Sequence, residues 1–262
     1  MALTEKAQTM TDYEAKNSLP KNTRDDIFAN TLGHPGLFAF NQTVVGVFPD
    51  MIRRSVPGYT TVIGMTGILA ARHARPGTRI YDLGCSLGAS LLSAAHQLDG
   101  DDYTLIGIDN SPAMLTHASK ILSHEALSMP CELIEGDITT TPIENASVVI
   151  MNYTLQFVPV EERDRLLRRI RDAMQPGDAL ILSEKLTFEE PMMNGLMINL
   201  HEDFKRAQGY SDLEVAKKRQ ALENVLIPES REAHIRRIRE CGFSHCDFWF
   251  QCFNFGSLVA IA

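Results

Sequence analysis

The sequence has no long apolar run and few cysteines. No stretch approaches the roughly 18 consecutive apolar residues of a membrane-spanning helix, and the polar residues 1–30 lack the apolar core of a secretory signal. Five cysteines occur in 262 residues and none forms a C-x-x-C pair, which favours reduced thiols over a disulfide framework or a metal site. These absences predict a cytoplasmic protein that binds no metal and does not associate with a membrane.

Positive charge is also in short supply. Lys and Arg together number 25, against 33 for Asp and Glu, and the formal net charge is −8. A surface that holds a phosphate backbone carries an excess of basic residues. The sequence therefore predicts a protein that does not bind nucleic acid directly.

What the sequence does contain is an alternation of strand-like and helix-like segments. Apolar strands occur as "RIYDL", "YTLIGID", "CELIEGD", "SVVIMNY" and "ALILSEKL", and amphipathic or charged helical segments separate most of them. This alternation implies a parallel sheet with helices on both faces. Near the C-terminus, "FWFQCF" and "SLVAIA" are joined by the short link Asn254-Phe255-Gly256, which predicts an antiparallel hairpin at the sheet edge.

The domain organisation follows from where the strand–helix alternation begins and where it is interrupted. Residues 1–30 predict a polar N-terminal tail, to which no role is assigned, and residues 31–262 predict one domain. Residues 188–226 interrupt the alternation with a long, mostly helical passage. We interpret this passage as an insertion that lies over the open end of the sheet.

The stretch "RIYDLGCSLGASLL", residues 79–92, reads as a buried strand, a glycine turn and the start of a helix. Asp82, Gly84 and Gly88 form a D-x-G-x-x-x-G frame. Ser86 stands where a dinucleotide-binding turn needs a glycine so that the backbone can approach a pyrophosphate. The turn therefore favours an adenosine ligand without a pyrophosphate, and S-adenosylmethionine over NAD.

Polar residues follow four of the predicted strands at their carboxyl ends. In an open α/β sheet, ligands bind beyond these ends, where the strand order reverses. Asp109 can accept hydrogen bonds from both ribose hydroxyls, and Asp137 can accept one from an adenine amino group. The alternative is that each acid only caps the helix that follows it. The residues expected to meet in this crevice are Gly84, Cys85, Ser86, Asp109, Asn110, Asp137, Ile138 and Asn152.

The same residues resemble those of known families. The frame and the C-terminal hairpin preceded by "CGF" are similar to class I S-adenosylmethionine-dependent methyltransferases. From about residue 47 to its end the chain resembles, more closely, the carboxy-S-adenosyl-L-methionine synthase family. The stretches that carry this resemblance include "VFPDMIRRSVPGY", "IYDLGCSLGA", "IDNSPAM", "DFKRAQGYS", "KRQALENV" and "WFQCFNFGSLVA".

The resemblance implies a fold and a reaction. The implied fold is a Rossmann-like α/β methyltransferase fold, with a mostly parallel seven-stranded sheet, an antiparallel C-terminal hairpin strand and a helical insertion. The implied reaction converts S-adenosyl-L-methionine and prephenate to carboxy-S-adenosyl-L-methionine and phenylpyruvate. A separate tRNA carboxymethyl transferase then uses the product to modify the wobble uridine. The long inserted helices also favour a homodimer.

The resemblance further implies contacts for the ligand. They fall on the strand-end residues named above and on Tyr59 and Arg219, the two residues to which a direct part in the reaction is assigned. A guanidinium binds a carboxylate through two parallel hydrogen bonds, which suits Arg219 to the carboxylate that plain S-adenosylmethionine lacks. The alternative for Arg219 is a solvated helix face, since it lies in "AKKRQALENV" beside two lysines. Tyr59 follows Pro57-Gly58 and is alternatively an aromatic residue at the rim.

Two other classes of function fit the same pattern. One is an ordinary methyltransferase that acts on a small molecule or on tRNA, because one fold serves many reactions. The other is a non-catalytic protein that binds S-adenosylmethionine, such as a sensor. Methyl transfer to an acceptor would identify the first, and tight binding without turnover of prephenate would identify the second.

Overall fold

The computed structural model describes residues 24–29, 42–223 and 225–262 of the chain. In chain order the helices are α1 (Gln42–Ser55), α2 (Tyr59–His73), α3 (Ala89–Gln97), α4 (Pro112–His124), α5 (Val160–Asp172), α6 (Pro191–Ala207), α7 (Asp212–Leu222) and α8 (Arg231–Glu240). The strands are β1 (Thr78–Leu83), β2 (Tyr103–Asp109), β3 (Cys131–Glu135), β4 (Ala146–Asn152), β5 (Ala179–Thr187), β6 (Glu229–Ser230), β7 (His245–Cys252) and β8 (Phe255–Ile261). A 3₁₀ turn at Leu155–Phe157 follows β4.

The strands form one mixed sheet in the order β3-β2-β1-β4-β5-β8-β7. The pairs from β3 to β5 are parallel, and β8 lies antiparallel between β5 and β7. This arrangement confirms the predicted Rossmann-like α/β fold with an antiparallel C-terminal hairpin. The strand order reverses at β1, so the crevice between β1 and β4 is where such a sheet binds its ligand.

The main path of the sheet has the predicted seven strands, and one short strand lies off this path. The strand β6, Glu229–Ser230, pairs in parallel with the end of β5 and makes the sheet eight-stranded. A strand of two residues is too short to produce any hydrophobic periodicity, so the sequence carries no signal for it.

The core consists of two layers, one on each face of the sheet. Ile80 and Tyr81 are adjacent in β1 and point to opposite faces, as the period of a strand requires. Ile80 belongs to the buried cluster that includes Leu91 of α3, and Tyr81 belongs to the cluster that includes Leu166 of α5. Helices cover both faces, which keeps the central parallel strands fully buried.

Residues 24–29 pack against the domain, which corrects the predicted tail for this part of residues 1–30. Asp25 is 1% exposed, and its carboxylate accepts hydrogen bonds from Tyr210 and Lys218. Its backbone amide donates to Asp50 Oδ2 over 2.8 Å. The contact depends on partners far away in the sequence, so the local composition could not indicate it. The rest of the predicted tail and the predicted domain start at residue 31 lie outside the described residues.

Two helices, α6 and α7, lie in the range of the predicted insertion. The helix α6 contacts α1 and α7. His201 of α6 hydrogen-bonds through Nε2 to the Ser55 carbonyl at 2.8 Å, and its ring packs edge-on against Phe255 at 4.8 Å between centroids. The insertion therefore faces the carboxyl ends of the strands. No helix in the described part of the chain is both long and apolar enough to cross a membrane.

Candidate active site

A cavity of about 1820 Å³ lies between the carboxyl ends of the strands and helices α1, α6 and α7. Its volume exceeds the roughly 300–1,000 Å³ of a pocket for one small ligand, so it has room for two. The structure brings all ten predicted site residues to this one cavity. They are Tyr59, Gly84, Cys85, Ser86, Asp109, Asn110, Asp137, Ile138, Asn152 and Arg219.

The turn after β1 is built on left-handed backbone conformations. Gly84 has φ of 78° and Ser86 has φ of 50°. A Cβ on Gly84 would stand 2.5 Å from the Thr154 side chain, so only glycine fits where β1 and the segment after β4 meet. The amides of Gly84 and Cys85 both donate to the Ile108 carbonyl, at 2.8 and 3.0 Å, which ties the turn to β2.

Asp109 is held by backbone amides from two directions. Its Oδ2 accepts from Ser86 N and its Oδ1 from Ser111 N, each at 2.9 Å. The bond to Ser111 is the local turn contact of the capping interpretation, but the bond to Ser86 also fixes the carboxylate beside the turn. Burial raises the pKa of Asp109 despite these bonds.

A second carboxyl, Asp82, lies at the end of β1. It is 2% exposed, and burial together with the charge of Asp109 raises its pKa to about 8. Both residues line the cavity. A cationic ligand would therefore find the buried Asp82 and the half-buried Asp109 at this end, and its positive charge would favour the ionised form of both carboxyl groups.

Asp137 and Asn152 differ in how their side chains are engaged. Asp137 is exposed, and its Oδ1 accepts from the Thr139 amide at 2.8 Å, but this bond closes a turn and caps no helix, because β4 is the next element after β3. Asn152 Oδ1 accepts from Ser183 Oγ at 2.6 Å, and its Nδ2 donates to Ser90 Oγ at 3.0 Å. The amide of Asn152 therefore positions β4 against its neighbours.

Arg219 and its neighbour Lys218 differ in solvent exposure and in their ion-pair partners. The Arg219 side chain is 69% exposed and donates from Nη1 to Glu202 Oε1 at 3.2 Å. Lys218 is 5% exposed and bound to Asp25. The solvated-face interpretation of "AKKRQALENV" is therefore wrong for Lys218, while Arg219 combines exposure with a position on the cavity.

Aromatic rings form one wall of the cavity. Tyr59 lies 6.1 Å from Tyr153 between ring centroids, and Tyr153 lies 6.1 Å from Phe255. Tyr59 is half-buried. Its place in this wall goes beyond the rim position of the alternative interpretation, because the ring of a ligand could pack against all three side chains.

Comparison with known proteins identifies the family. A family model described as "Methyltransferase domain" matches residues 80–177. The carboxy-S-adenosyl-L-methionine synthase of Geobacter sp. (strain M21) is 52% identical over 90% of this chain and 97% of its own length. The enzyme of the same name from Sodalis glossinidius is 49% identical over 91% of this chain and 96% of its own. The chain belongs to the carboxy-S-adenosyl-L-methionine synthase family. The resemblance that the sequence motifs carry is thereby confirmed.

Solved structures extend the likeness to the wider methyltransferase fold. Magnesium protoporphyrin IX methyltransferase from Synechocystis, determined with bound SAH, aligns with a TM-score of 0.55 at 16% identity, covering 87% of this chain and 89% of its own. Human N-acetylserotonin methyltransferase in complex with SAM aligns with a TM-score of 0.56 at 17% identity, covering 84% of this chain and 55% of its own. At these identities the likeness concerns the fold alone, which this chain shares with both methyltransferases.

Three cavity residues were missed as site residues by the sequence analysis. Lys205 is 7% exposed, and burial and the nearby Lys185 lower its pKa to about 7. His201 is 5% exposed, and burial lowers its pKa to about 3. Tyr153 has φ of 62°, and its buried hydroxyl has no hydrogen-bond partner among the described residues. Only Tyr153 had a usable signal, since it directly follows a strand end.

The described residues contain no group of three or more His, Cys, Asp or Glu side chains that could hold a metal ion. All five cysteines are free thiols. Cys85 lines the cavity, and burial raises the pKa of its thiol well above the usual range. A thiol that keeps its proton is a poor nucleophile, so Cys85 serves as an apolar surface beside the turn.

Proposed function

We propose that the protein converts S-adenosyl-L-methionine and prephenate to carboxy-S-adenosyl-L-methionine and phenylpyruvate in this cavity. The observation that carries the proposal is the division of charge within the cavity. Asp82 and Asp109 lie at the strand ends, while Lys185, Lys205 and Arg219 lie on β5 and the inserted helices. A cationic sulfonium substrate suits the first end and an anionic second substrate suits the other. The family to which the chain belongs agrees with this pairing.

S-adenosylmethionine would bind along the strand ends. Asp109 would accept hydrogen bonds from the ribose hydroxyls, and Asp137 with Ile138 would face the adenine. Asp82 would stabilise the positive charge of the ligand. Gly84, Cys85 and Ser86 would form the turn beneath it, and Tyr59 would pack against the methionine end.

The reaction we propose needs no oxidant. Prephenate loses its ring carboxylate as carbon dioxide and expels its ring hydroxyl as hydroxide, which leaves aromatic phenylpyruvate. The hydroxide takes a proton from the sulfonium methyl group and becomes water. The resulting ylide carbon then forms a bond to the carbon dioxide and yields a carboxylate. The chain's part is to hold both substrates close together, so that carbon dioxide is captured before it escapes.

Arg219 would bind the new carboxylate. Its guanidinium faces the cavity and has one hydrogen bond, to Glu202, so further donors can form a two-bond contact with a carboxylate. Unmodified S-adenosylmethionine has no carboxylate on its sulfonium methyl group, so it would leave these donors unused.

We further propose how the protein is used. Its product would serve a separate tRNA carboxymethyl transferase, so the protein itself needs no nucleic-acid surface, in line with its net charge of −8. Its free thiols favour the cytoplasm. A homodimer would cover the apolar side chains that α6 and α7 expose, among them Met192, Leu196 and Leu213 at 75%, 46% and 57% exposure.

Mass spectrometry tests the proposal. The purified protein is incubated with S-adenosylmethionine and prephenate, and both the nucleoside and the keto acid are identified. We expect an adenosyl product heavier than S-adenosylmethionine by one carboxyl group, formed in equal amount with phenylpyruvate. Transfer of a labelled methyl group to an acceptor, with no carboxylated product, would instead show an ordinary methyltransferase. Binding without either reaction would show a sensor.

A further inference from the structure

The basic end of the cavity holds more positive charge than Arg219 alone supplies. Lys205 on α6 and Lys185 on β5 also line it. Lys205 is 7% exposed, and the ammonium groups of both lysines have no hydrogen-bond partner within the described ranges. A buried ammonium without a paired anion is unfavourable, and such groups in a cleft are functional candidates.

The carboxylate nearest to these cations is already engaged. Glu202 interacts favourably with both lysines, but it accepts hydrogen bonds from Arg219 at 3.2 Å and from Arg206 at 3.4 Å. One carboxylate therefore serves several cations. The excess charge faces the cavity and calls for an anionic ligand.

The chemistry assigns the two carboxylates of the second substrate to different cations. The ring carboxylate must become carbon dioxide beside the sulfonium methyl group, and it ends as the product carboxylate at Arg219. The other carboxylate stays on phenylpyruvate throughout. We propose that Lys205, with Lys185 beside it, binds the carboxylate of prephenate that phenylpyruvate retains. This inference rests on the proposed function, and it makes Lys205 a substrate-binding residue.

The surroundings of Lys205 fit a ligand that carries both a ring and a carboxylate. His201 and Lys205 are four residues apart on α6 and so lie on one face of the helix. His201 packs on Phe255, which in turn packs on Tyr153. Lys205 therefore lies on the helix face that contacts the aromatic wall through His201, and we place the six-membered ring of prephenate at this wall.

A charge-removing variant with a matched control tests the assignment. Lys205→Met keeps the apolar stem and removes the cation, and Lys120→Met makes the same change at an exposed lysine outside the cavity lining. For Lys205→Met we expect at least a tenfold higher KM for prephenate. The Kd for phenylpyruvate, measured by calorimetry without turnover, should rise by a similar factor. The Kd for S-adenosylmethionine should stay within twofold, and Lys120→Met should change none of these values.

The pH profile separates binding from a merely structural role. Lys205 faces Lys185 on β5, Lys218 and Arg219 on α7, and Glu202 on its own helix. With its pKa near 7, Lys205 is a cation at lower pH, so phenylpyruvate binding should weaken as pH rises above about 7. The pH dependence should disappear in both variants, because Lys205→Met binds phenylpyruvate weakly at every pH and Lys205→Arg, whose cation stays charged, keeps the binding as pH rises.

The outcomes keep the two proposals apart. An unchanged Kd for phenylpyruvate in Lys205→Met, in a protein with wild-type melting temperature, would overturn the role of Lys205 even if carboxylated product forms. If Lys205→Met melts early, Lys185→Met provides the same test from β5, and an unchanged Kd there would count equally against the subsite. A wild-type protein that binds phenylpyruvate through Lys205 but makes no carboxylated product would contradict only the proposed function.

Discussion

Among single residues, Arg219 offers the sharpest distinction between the two forms of the adenosyl ligand. Arg219→Leu keeps side-chain bulk and removes the guanidinium. Carboxy-S-adenosylmethionine should bind about tenfold more weakly, because a charged hydrogen bond is lost at a side chain that is largely solvated. S-adenosylmethionine should bind as before, since it lacks the carboxylate. Titration calorimetry with both ligands gives the two ratios.

The control for this variant is Arg236→Leu, an exposed arginine of α8 that does not line the cavity. It should alter neither affinity. If Arg219→Leu lowered the affinity for both ligands equally, Arg219 would be a structural cation. If it lowered neither affinity, the interpretation of Arg219 as part of a solvated helix face would be correct.

Removal of the Asp109 carboxylate should lower the affinity for S-adenosylmethionine and for its carboxylated form equally. Asp109→Ala removes an acceptor for the ribose and two bonds that fix the turn, to the amides of Ser86 and Ser111. The loss should be about 1.5–3 kcal/mol for each ligand, as for other hydrogen bonds to charged groups. Calorimetry of the variant checks this, with the exposed loop residue Asp101 changed to Ala as the control. Unchanged affinities would show that the ribose binds elsewhere.

At the scale of elements, the contact between residues 24–29 and α7 should contribute measurably to stability. Asp25 is the buried anion beside Lys218, so Asp25→Ala leaves that lysine with only the Ser55 and Tyr210 hydroxyls and no anionic partner. Breaking a buried pair in this way should lower the free energy of unfolding by roughly 3 kcal/mol. Urea denaturation measures the change. The double variant Asp25→Ala/Lys218→Met should regain part of the loss, because no buried charge is then left alone.

A loss below about 0.5 kcal/mol in Asp25→Ala, as for an average surface substitution, would argue that this segment does not dock in solution. In that case the double variant should also show no recovery. The predicted tail would then include residues 24–29.

Elements with strong local signals could be predicted from the sequence. Ser111 caps α4 through a hydrogen bond to Met114 N, and Pro112 is its first residue, as the Ser-Pro pair indicates. The turn after β1 could be predicted because its glycines indicate positive φ. Helix α1 could not be predicted, because Pro49 lies inside it and proline usually indicates that a segment is not a helix interior.

The candidate site was predictable only where it lies on strand ends. Asp109 and its equivalents follow apolar runs, so their position can be read from local pattern. His201 and Lys205 lie on a helix that looks solvated in sequence, and contacts with distant residues bury them. The sequence holds no record of that burial, because it depends on how α6 packs over the sheet.

For the whole molecule, the apolar surface of the inserted helices predicts self-association. Leu196 on α6 is 46% exposed and close in sequence to Met192 and Met193, which are also exposed. We expect a dimer by light scattering after size exclusion. Leu196→Glu should shift the protein toward monomer, because it would place a charge within the apolar contact. Ile68→Glu changes a residue of equal exposure outside this cluster and should leave the dimer intact.

If Ile68→Glu dissociated the dimer and Leu196→Glu did not, the interface would lie at α2 instead. A wild-type monomer at micromolar concentration would leave the exposed side chains of α6 without the partner proposed for them.

The buried contact of Asp25 with Lys218 also affects how fast a ligand can leave the cavity. Lys218 is adjacent to Arg219, so any outward swing of α7 that opens the cavity must first break the link to the beginning of the chain. How often that link breaks sets an upper limit on how fast a ligand can leave by this route. We therefore expect a variant that removes this link, such as Asp25→Ala, to release a bound adenosyl ligand faster, although none of residues 24–29 lines the cavity.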